Sequence, residues 1–285
     1  MYYSGIVLGL FRPERYNSSM KSNDALLKLA DVSAAQWGMV TTAQAEAVGI
    51  SRLVLSRLAE AGHFERLIHG VYQNASTPND ELSDLRAAWL STEPTHLAEE
   101  RLRLLVDGVV VASSSAALLH GIGDLWADRH EFVFPKRRQT QRVGIRFRQR
   151  QLENLDVTLV KGLPVMTLER TLGDLLEETG ELSLVADAFG AAAKKRNLDF
   201  DRLRELFGPL AERNGFGRRD GNAVLEHFLK AAGLDLDSKA GRVIEDHELS
   251  GRIVAKYFEQ TRTSPETLLE TQMSASLRFT RAALG

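Results

Sequence analysis

The sequence predicts an α+β protein, with helices and a few short strands occupying separate stretches of the chain. Three observations carry that prediction. Between Trp37 and Tyr72 two short helical patterns are followed by a glycine-containing hairpin pattern. From Glu131 the apolar period changes from helical spacing to the alternation of strands. Helical spacing then returns at Leu168 and persists.

Within Trp37 to Tyr72, Thr42 precedes the helix formers Ala43-Gln44-Ala45-Glu46 and is placed as an N-cap. Gly49 ends that helix, and Ser51 caps a second over Arg52 to Ala61. Leu53, Val54, Leu55 and Leu58 form its inward stripe, leaving Arg52, Ser56 and Arg57 outward. Gly62 closes it, and Phe64 to Ile68, His69-Gly70 and Val71-Tyr72 read as two strands around a tight turn. Helix, turn, helix and hairpin in this order is the winged helix-turn-helix layout, whose second helix enters the DNA major groove. An ordinary αα-hairpin with a β-hairpin packed on it would show the same pattern.

The chain has 285 residues, enough for two domains, with 44% hydrophobic and 26% charged residues. It has no cysteine, which excludes disulfides, thiolate metal sites and a cysteine nucleophile and fits a reducing cytoplasm. No apolar run approaches the roughly 20 residues that span a bilayer. Net charge is −2, yet Lys136 to Arg150 holds seven basic residues and no acid. A basic stretch on an acidic body suits a polyanion or an acidic partner.

Residues 1–22 read as a tail or a misassigned start upstream of Met20, because MYYSGIVLGLF lacks the basic n-region of a signal peptide. Asp24 to Ala34 is a helix supporting the winged helix, which occupies residues 23–75. Helices follow at Glu81 to Thr92 and, after Pro94, at His96 to Leu105. Gly108 to Ala112 is a short strand, and Ser113 to His120 a helix with serine as cap. Glu131 to Phe134 is a strand ending at Pro135. In Val143 to Phe147, Val143, Ile145 and Phe147 face one way and Arg142, Arg146 and Arg148 the other, so one strand buries an apolar row and displays an arginine row. Val157 to Val160 is a strand, Gly162-Leu163-Pro164 a turn, and Thr167 caps a helix from Leu168 to Glu178 in which Arg170 and Asp174 are i,i+4 neighbours. Leu182 to Lys195, Asp201 to Phe207 and Val224 to Ala232 are helical, with a glycine-rich loop at Asn214 to Asn222. The second domain spans residues 80–213, and residues 214–285 form a helical extension.

Catalytic signals are weak. Gly121-Ile122-Gly123 and Gly215-Phe216-Gly217 lack the strand and helix frame of a dinucleotide loop. Asp246-His247-Glu248 points around a helix circumference and cannot chelate one ion. His120 reads as a capping or core histidine, and Ser113, Ser114 and Ser115 show no nucleophile elbow. A nuclease core would need an acidic residue followed by Glu-x-Lys on the next strand, and Lys136 instead follows Glu131 beyond a proline. The expectation is no enzyme, no cofactor, no metal and no membrane. The candidate DNA contacts are Thr42, Ser51, Arg52, Ser56 and Arg57 on the two helices and Arg66, His69 and Tyr72 on the hairpin. Lys136, Arg137, Arg138, Arg142, Arg146 and Arg148 of the basic stretch complete the set, there meeting either DNA or protein.

Four segments in order resemble the AbiEi family of antitoxins. They are the winged helix ending in Leu67 to Tyr72, similar to the family's "RGVY"; ASSSAALLHG at Ala112 to Gly121; the strand and basic cluster at Glu131 to Arg150; and GLPVMTLERTLGDL at Gly162 to Leu175. The resemblance spans about Val40 to Asn197. The sequence departs from the family pattern at His69, where arginine is usual, and at Ser114 and Met166. The resemblance implies a repressor that binds operator DNA, with inverted repeats upstream of its own operon. It also implies a type IV toxin–antitoxin partner, a nucleotidyltransferase-like toxin from the adjacent gene. A stand-alone winged-helix regulator without a toxin is the alternative. Gly162, Arg170, Thr171 and Asp174 match the family motif and read as a turn glycine and a pinned helix start.

Overall fold

The computed structural model describes residues 14–124 and 128–235, with two isolated helical positions at Arg252 and Lys256. The expectations for Asp246-His247-Glu248 and for helix beyond Ser264 lie outside the described residues, as does the segment before Glu14. The chain divides into two compact units, the first ending at Leu225 and the second beginning at Glu226.

The first helix, α1 (Glu14–Ala34), begins ten residues before Asp24, because no proline or glycine interrupts that stretch. Then come β1 (Met39–Thr41), α2 (Thr42–Ala47), α3 (Arg52–Glu60), β2 (Phe64–Ile68) and β3 (Val71–Asn74). The strands form an antiparallel sheet in the order β1-β3-β2. The α2 cap is Thr41 rather than Thr42. Its hydroxyl accepts from Gln44 N–H at 3.1 Å while the Gln44 side chain accepts from Thr41 N–H at 2.9 Å, a reciprocal capping box. Thr42 instead gives its N–H to Gly70 O at 2.9 Å, tying the start of α2 to the hairpin turn. Ser51 caps α3 as expected, accepting from Val54 N–H at 3.4 Å.

This small sheet is covered on both faces. Val40, with its cross-strand partner Tyr72, packs with Leu29, Ala45, Leu55, Leu58 and Phe64 under the helices. Met39 and Val71 point the other way, into a core shared with Trp89, Val110, Phe132 and Val165. The polar seam beside them is also bonded across: the Thr41 hydroxyl donates to Pro94 O at 2.5 Å and Gln44 Nε2 to His96 O at 2.7 Å.

The remainder of the first unit comprises α4 (Ser83–Thr92), α5 (Ala98–Leu102), β4 (Val110–Val111), α6 (Ser113–His120), β5 (His130–Phe134), β6 (Ile145–Gln149), β7 (Val157–Val160), β8 (Leu163–Met166), α7 (Leu168–Thr179), α8 (Leu182–Lys195), α9 (Phe200–Phe207) and the start of α10 (Gly221–Ala231). Its mixed sheet runs β6-β5-β4-β8-β7, with β5–β6 and β4–β8 parallel and the other pairs antiparallel. Four sequence boundaries shift. The helices expected from Glu81 and from His96 shorten to α4 and α5, and the strand at Gly108 to Ala112 shrinks to two residues. The Gly162-Leu163-Pro164 turn is in fact Lys161-Gly162, both at positive φ (49° and 85°), and a two-residue turn of that hand leaves Leu163 and Pro164 in β8. The serines do not cap α6. Its N-cap is Ala112, and the Glu131 carboxylate accepts from Ser114 N–H at 3.2 Å while Ser115 Oγ accepts from Glu131 N–H at 2.9 Å. A carboxylate at the positive end of a helix does the work expected of the hydroxyls.

Two tryptophans join these parts. Trp37 meets Trp89 edge to face at 6.2 Å, and the Arg101 guanidinium lies 3.5 Å over Trp89. Arg101 donates to Trp89 O and Thr92 Oγ1 at 2.7 and 2.8 Å. Burial, offset by Glu93, pulls its pKa down to about 9, so it stays charged at neutral pH. His120 is a core histidine: its Nε2 donates to Met166 O at 2.7 Å, and burial holds its pKa below the usual value. Gly162 lies against Trp37, where an added Cβ would stand 3.0 Å from the ring. Gly162→Ala is therefore expected to cost about 1–3 kcal/mol, from positive φ and from the displaced indole. Denaturant unfolding checks this, and an unchanged midpoint would show that Trp37 moves without cost.

Candidate nucleic-acid interface

On α3 the apolar interior is narrower than the sequence suggests. Leu55 and Leu58 are buried, whereas Leu53 is 61% exposed, on the face opposite to them. At 100° per residue Leu53 shares that outward face with Ser56 and Arg57, one turn further on. Arg52 is at its edge, pairing with Glu46 at 3.0 Å, and Ser56 donates to Glu60 at 3.3 Å. Arg57 is exposed and has no acidic partner among the described residues.

The hairpin carries the second group. Gly70, at φ 82°, permits the turn, and a bulge between Arg66 and Ile68 twists β2. Arg66 Nη2 lies 2.7 Å from His69 Nδ1. A guanidinium only donates, so His69 Nδ1 accepts and its Nε2 is left as a donor pointing away from the pair. Tyr72 is half-buried against the winged-helix core.

These groups converge on a depression of about 300 Å³ between α2, the hairpin and the loop before β6. Thr42, Arg52, Arg66, His69, Tyr72 and Arg142 line it, and none of its lining residues is acidic. Six of the fourteen residues picked from sequence thus meet in one concavity, and Ser51, Ser56 and Arg57 continue from it along α3.

The rest of the basic stretch is disposed differently. Val143 is 81% exposed and precedes the strand, which runs from Ile145 to Gln149. Ile145 and Phe147 face the core, with Phe147 stacked 6.0 Å from Phe132. Of the arginine row, Arg142 and Arg146 are exposed and Arg148 is half-buried, and Arg146 and Arg148 are held by acids. Arg146 pairs with Glu131 and Glu178 at 3.0 and 2.9 Å. Arg148 donates to Asp174 and Glu178, each at 3.0 Å, and Arg150 pairs with Asp174 at 3.3 Å and with Glu177. Burial opposes the Arg148 charge, yet its bonds to Asp174 raise its pKa further. Asp174 is fully buried, and its partners are these strand arginines rather than Arg170, which lies 3.8 Å from Glu177. Asp174, Glu177 and Glu178 sit at i, i+3 and i+4 on α7, one helix face laid along the arginine face of β6. Arg138 folds back onto Thr92 O and Glu93 and over Phe147 at 5.0 Å. Lys136, Arg137 and Arg142 are exposed or solvent-facing, with no acidic partner among the described residues.

Among the described residues no group of three or more His, Asp or Glu is placed to hold a metal ion, and no helix is long and apolar enough to cross a membrane. A helix pair presenting an arginine-bearing second helix, with a hairpin carrying Arg66 and His69 beside it, defines a winged helix-turn-helix of the kind found in DNA-binding transcription regulators. Residues 28–75 match the sequence model of the family described as transcriptional regulator, AbiEi antitoxin. That match covers the end of α1, β1, α2, α3 and the hairpin. Among solved structures the chain is similar to the RV2827C protein from Mycobacterium tuberculosis, at 15% identity and a TM-score of 0.43, over 71% of this chain and 81% of that one. No curated protein matches.

Proposed function

We propose that this protein is the DNA-binding antitoxin of a type IV toxin–antitoxin system. It represses its own operon by binding inverted repeats upstream, and counters a nucleotidyltransferase-like toxin encoded next to it, in the cytoplasm. The observation that carries the DNA-binding part is the acid-free depression in which Arg52, Arg66, His69 and Arg142 meet beside the exposed face of α3. A phosphate there receives donors from two directions while α3 lies in the groove. The antitoxin part rests on the description of the family that residues 28–75 match. That match is confined to the winged helix, an observation that equally suits a stand-alone regulator. Co-expression with the adjacent gene product separates the two: rescue of growth by this protein supports the antitoxin, and unrelieved toxicity alongside operator binding supports the regulator.

Within this reading the basic stretch divides into residues that meet DNA and residues that hold the fold. Lys136, Arg137 and Arg142 stand as phosphate contacts, and Arg138, Arg146 and Arg148 as residues already paired with carboxylates. Arg142→Ala is expected to reduce the slope of log affinity against log salt by about 0.9, and Arg66→Ala/Arg142→Ala by about twice that. Arg146→Ala is expected to leave the slope unchanged. Titrations at several salt concentrations decide, and an equal loss with Arg146→Ala would return the strand to the interface.

A further inference from the structure

We propose that Leu53 reads a thymine methyl group in the major groove; this inference rests on the DNA-binding reading above. Leu53 is the second residue of α3 and is 61% exposed, while Leu55 and Leu58 on the opposite face are buried. It therefore contributes nothing to the interior that its neighbours do not already supply. The N-terminal residues of a recognition helix are the ones that approach base edges. Around Leu53 the outward groups are Ser56, bonded to Glu60, Arg52, bonded to Glu46, and Arg57, with no acidic partner among the described residues. The face thus offers one apolar group beside one unneutralised guanidinium. On the edges of base pairs in the major groove the apolar feature is the thymine C5-methyl, and the feature that best suits an arginine is the guanine O6/N7 pair. Leu53 and Arg57, one helical turn apart, match a thymine and a guanine at neighbouring positions. No bond is made or broken; the specificity comes from removing the methyl group and the leucine from water together.

The test uses the full chain to select duplexes from a randomised library. Each thymine of the selected duplex is then replaced singly by uracil, which deletes only the methyl group. Affinities are measured for the unaltered protein and for Leu53→Ala. At one thymine per half-site, uracil is expected to weaken binding by the unaltered protein about fourfold, the factor one buried methyl carries. The same replacement should leave Leu53→Ala unaffected. Uracil that weakens both proteins alike, or that weakens neither, overturns the assignment of Leu53 while leaving DNA recognition standing. A selection that yields no enriched sequence overturns the DNA-binding reading and this inference with it. Should Leu53 instead cover a second copy of the chain, Leu53→Ala would change the mass in solution and uracil would have no effect, which also overturns the proposal.

Discussion

Removing Arg52 and Arg57 together is expected to abolish selective DNA binding while leaving the protein folded. Both side chains lie on the solvent side of α3, so their loss exposes no core, and the thermal midpoint should not move. A well-placed arginine on a base edge is worth about 1–3 kcal/mol of discrimination. Losing two should lower affinity for a selected duplex by roughly thirtyfold to twenty-thousandfold, bringing it toward that for scrambled sequence. The singles should differ. Arg52 must leave Glu46, 3.0 Å away, to reach the duplex, so part of its contribution is spent; Arg57 leaves no carboxylate behind. Arg57→Ala is accordingly expected to carry the larger share. Fluorescence anisotropy with selected and scrambled duplexes measures the ratio, and an undiminished ratio in the double variant would remove α3 from the recognition surface.

Asp174→Ala is expected to be the most destabilising single change among those considered. The carboxylate is fully buried and holds Arg148 and Arg150, whose side chains are 13% and 21% exposed. Removing one member of a buried ion network strands the charges it neutralised, at a cost of about 3–5 kcal/mol. The lower end applies, because Glu178 still holds Arg148 at 3.0 Å and Glu177 still holds Arg150. A loss of about 3 kcal/mol lowers the melting temperature by roughly 6–12 °C for a protein of this size. Asp201 is the control: its bond to Arg204 is short, at 2.6 Å, but its side chain is 92% exposed, and Asp201→Ala should leave the midpoint where it is. Equal effects from the two would mean that the network is not buried in solution.

The contrast between these two arginine groups shows what the sequence makes legible. The helix, turn, helix and hairpin are local, and their glycines and hydroxyl caps announce them within 36 residues. Even there two details escaped. Val40-Thr41-Thr42 offers two adjacent hydroxyls, and only the register of β1 decides which becomes the cap. The run Leu53-Val54-Leu55 offers more apolar residues than α3 can bury, and only the packing of α3 against α2 and β2 decides which is left outside. The arginine alternation on β6 was visible, but its meaning lay 24 to 32 residues away, in the acids of α7 and their spacing. An arginine row reads as a surface until a carboxylate row is found at matching pitch. For Glu131 the pairing with Arg146 follows from the parallel register of β5 and β6, which a single sequence does not state. The depression itself was not legible, because Arg142 reaches it across some 70 residues of chain.

The sheet beneath the hairpin has a consequence for how the chain comes into being. Met39 and Val71 are completed only when Val110, Phe132 and Val165 arrive to cover them. A ribosome delivers the last of these, Val165, about ninety residues after the hairpin. Until then the emerging hairpin keeps part of its apolar face uncovered, so the winged helix is completed late in its own synthesis.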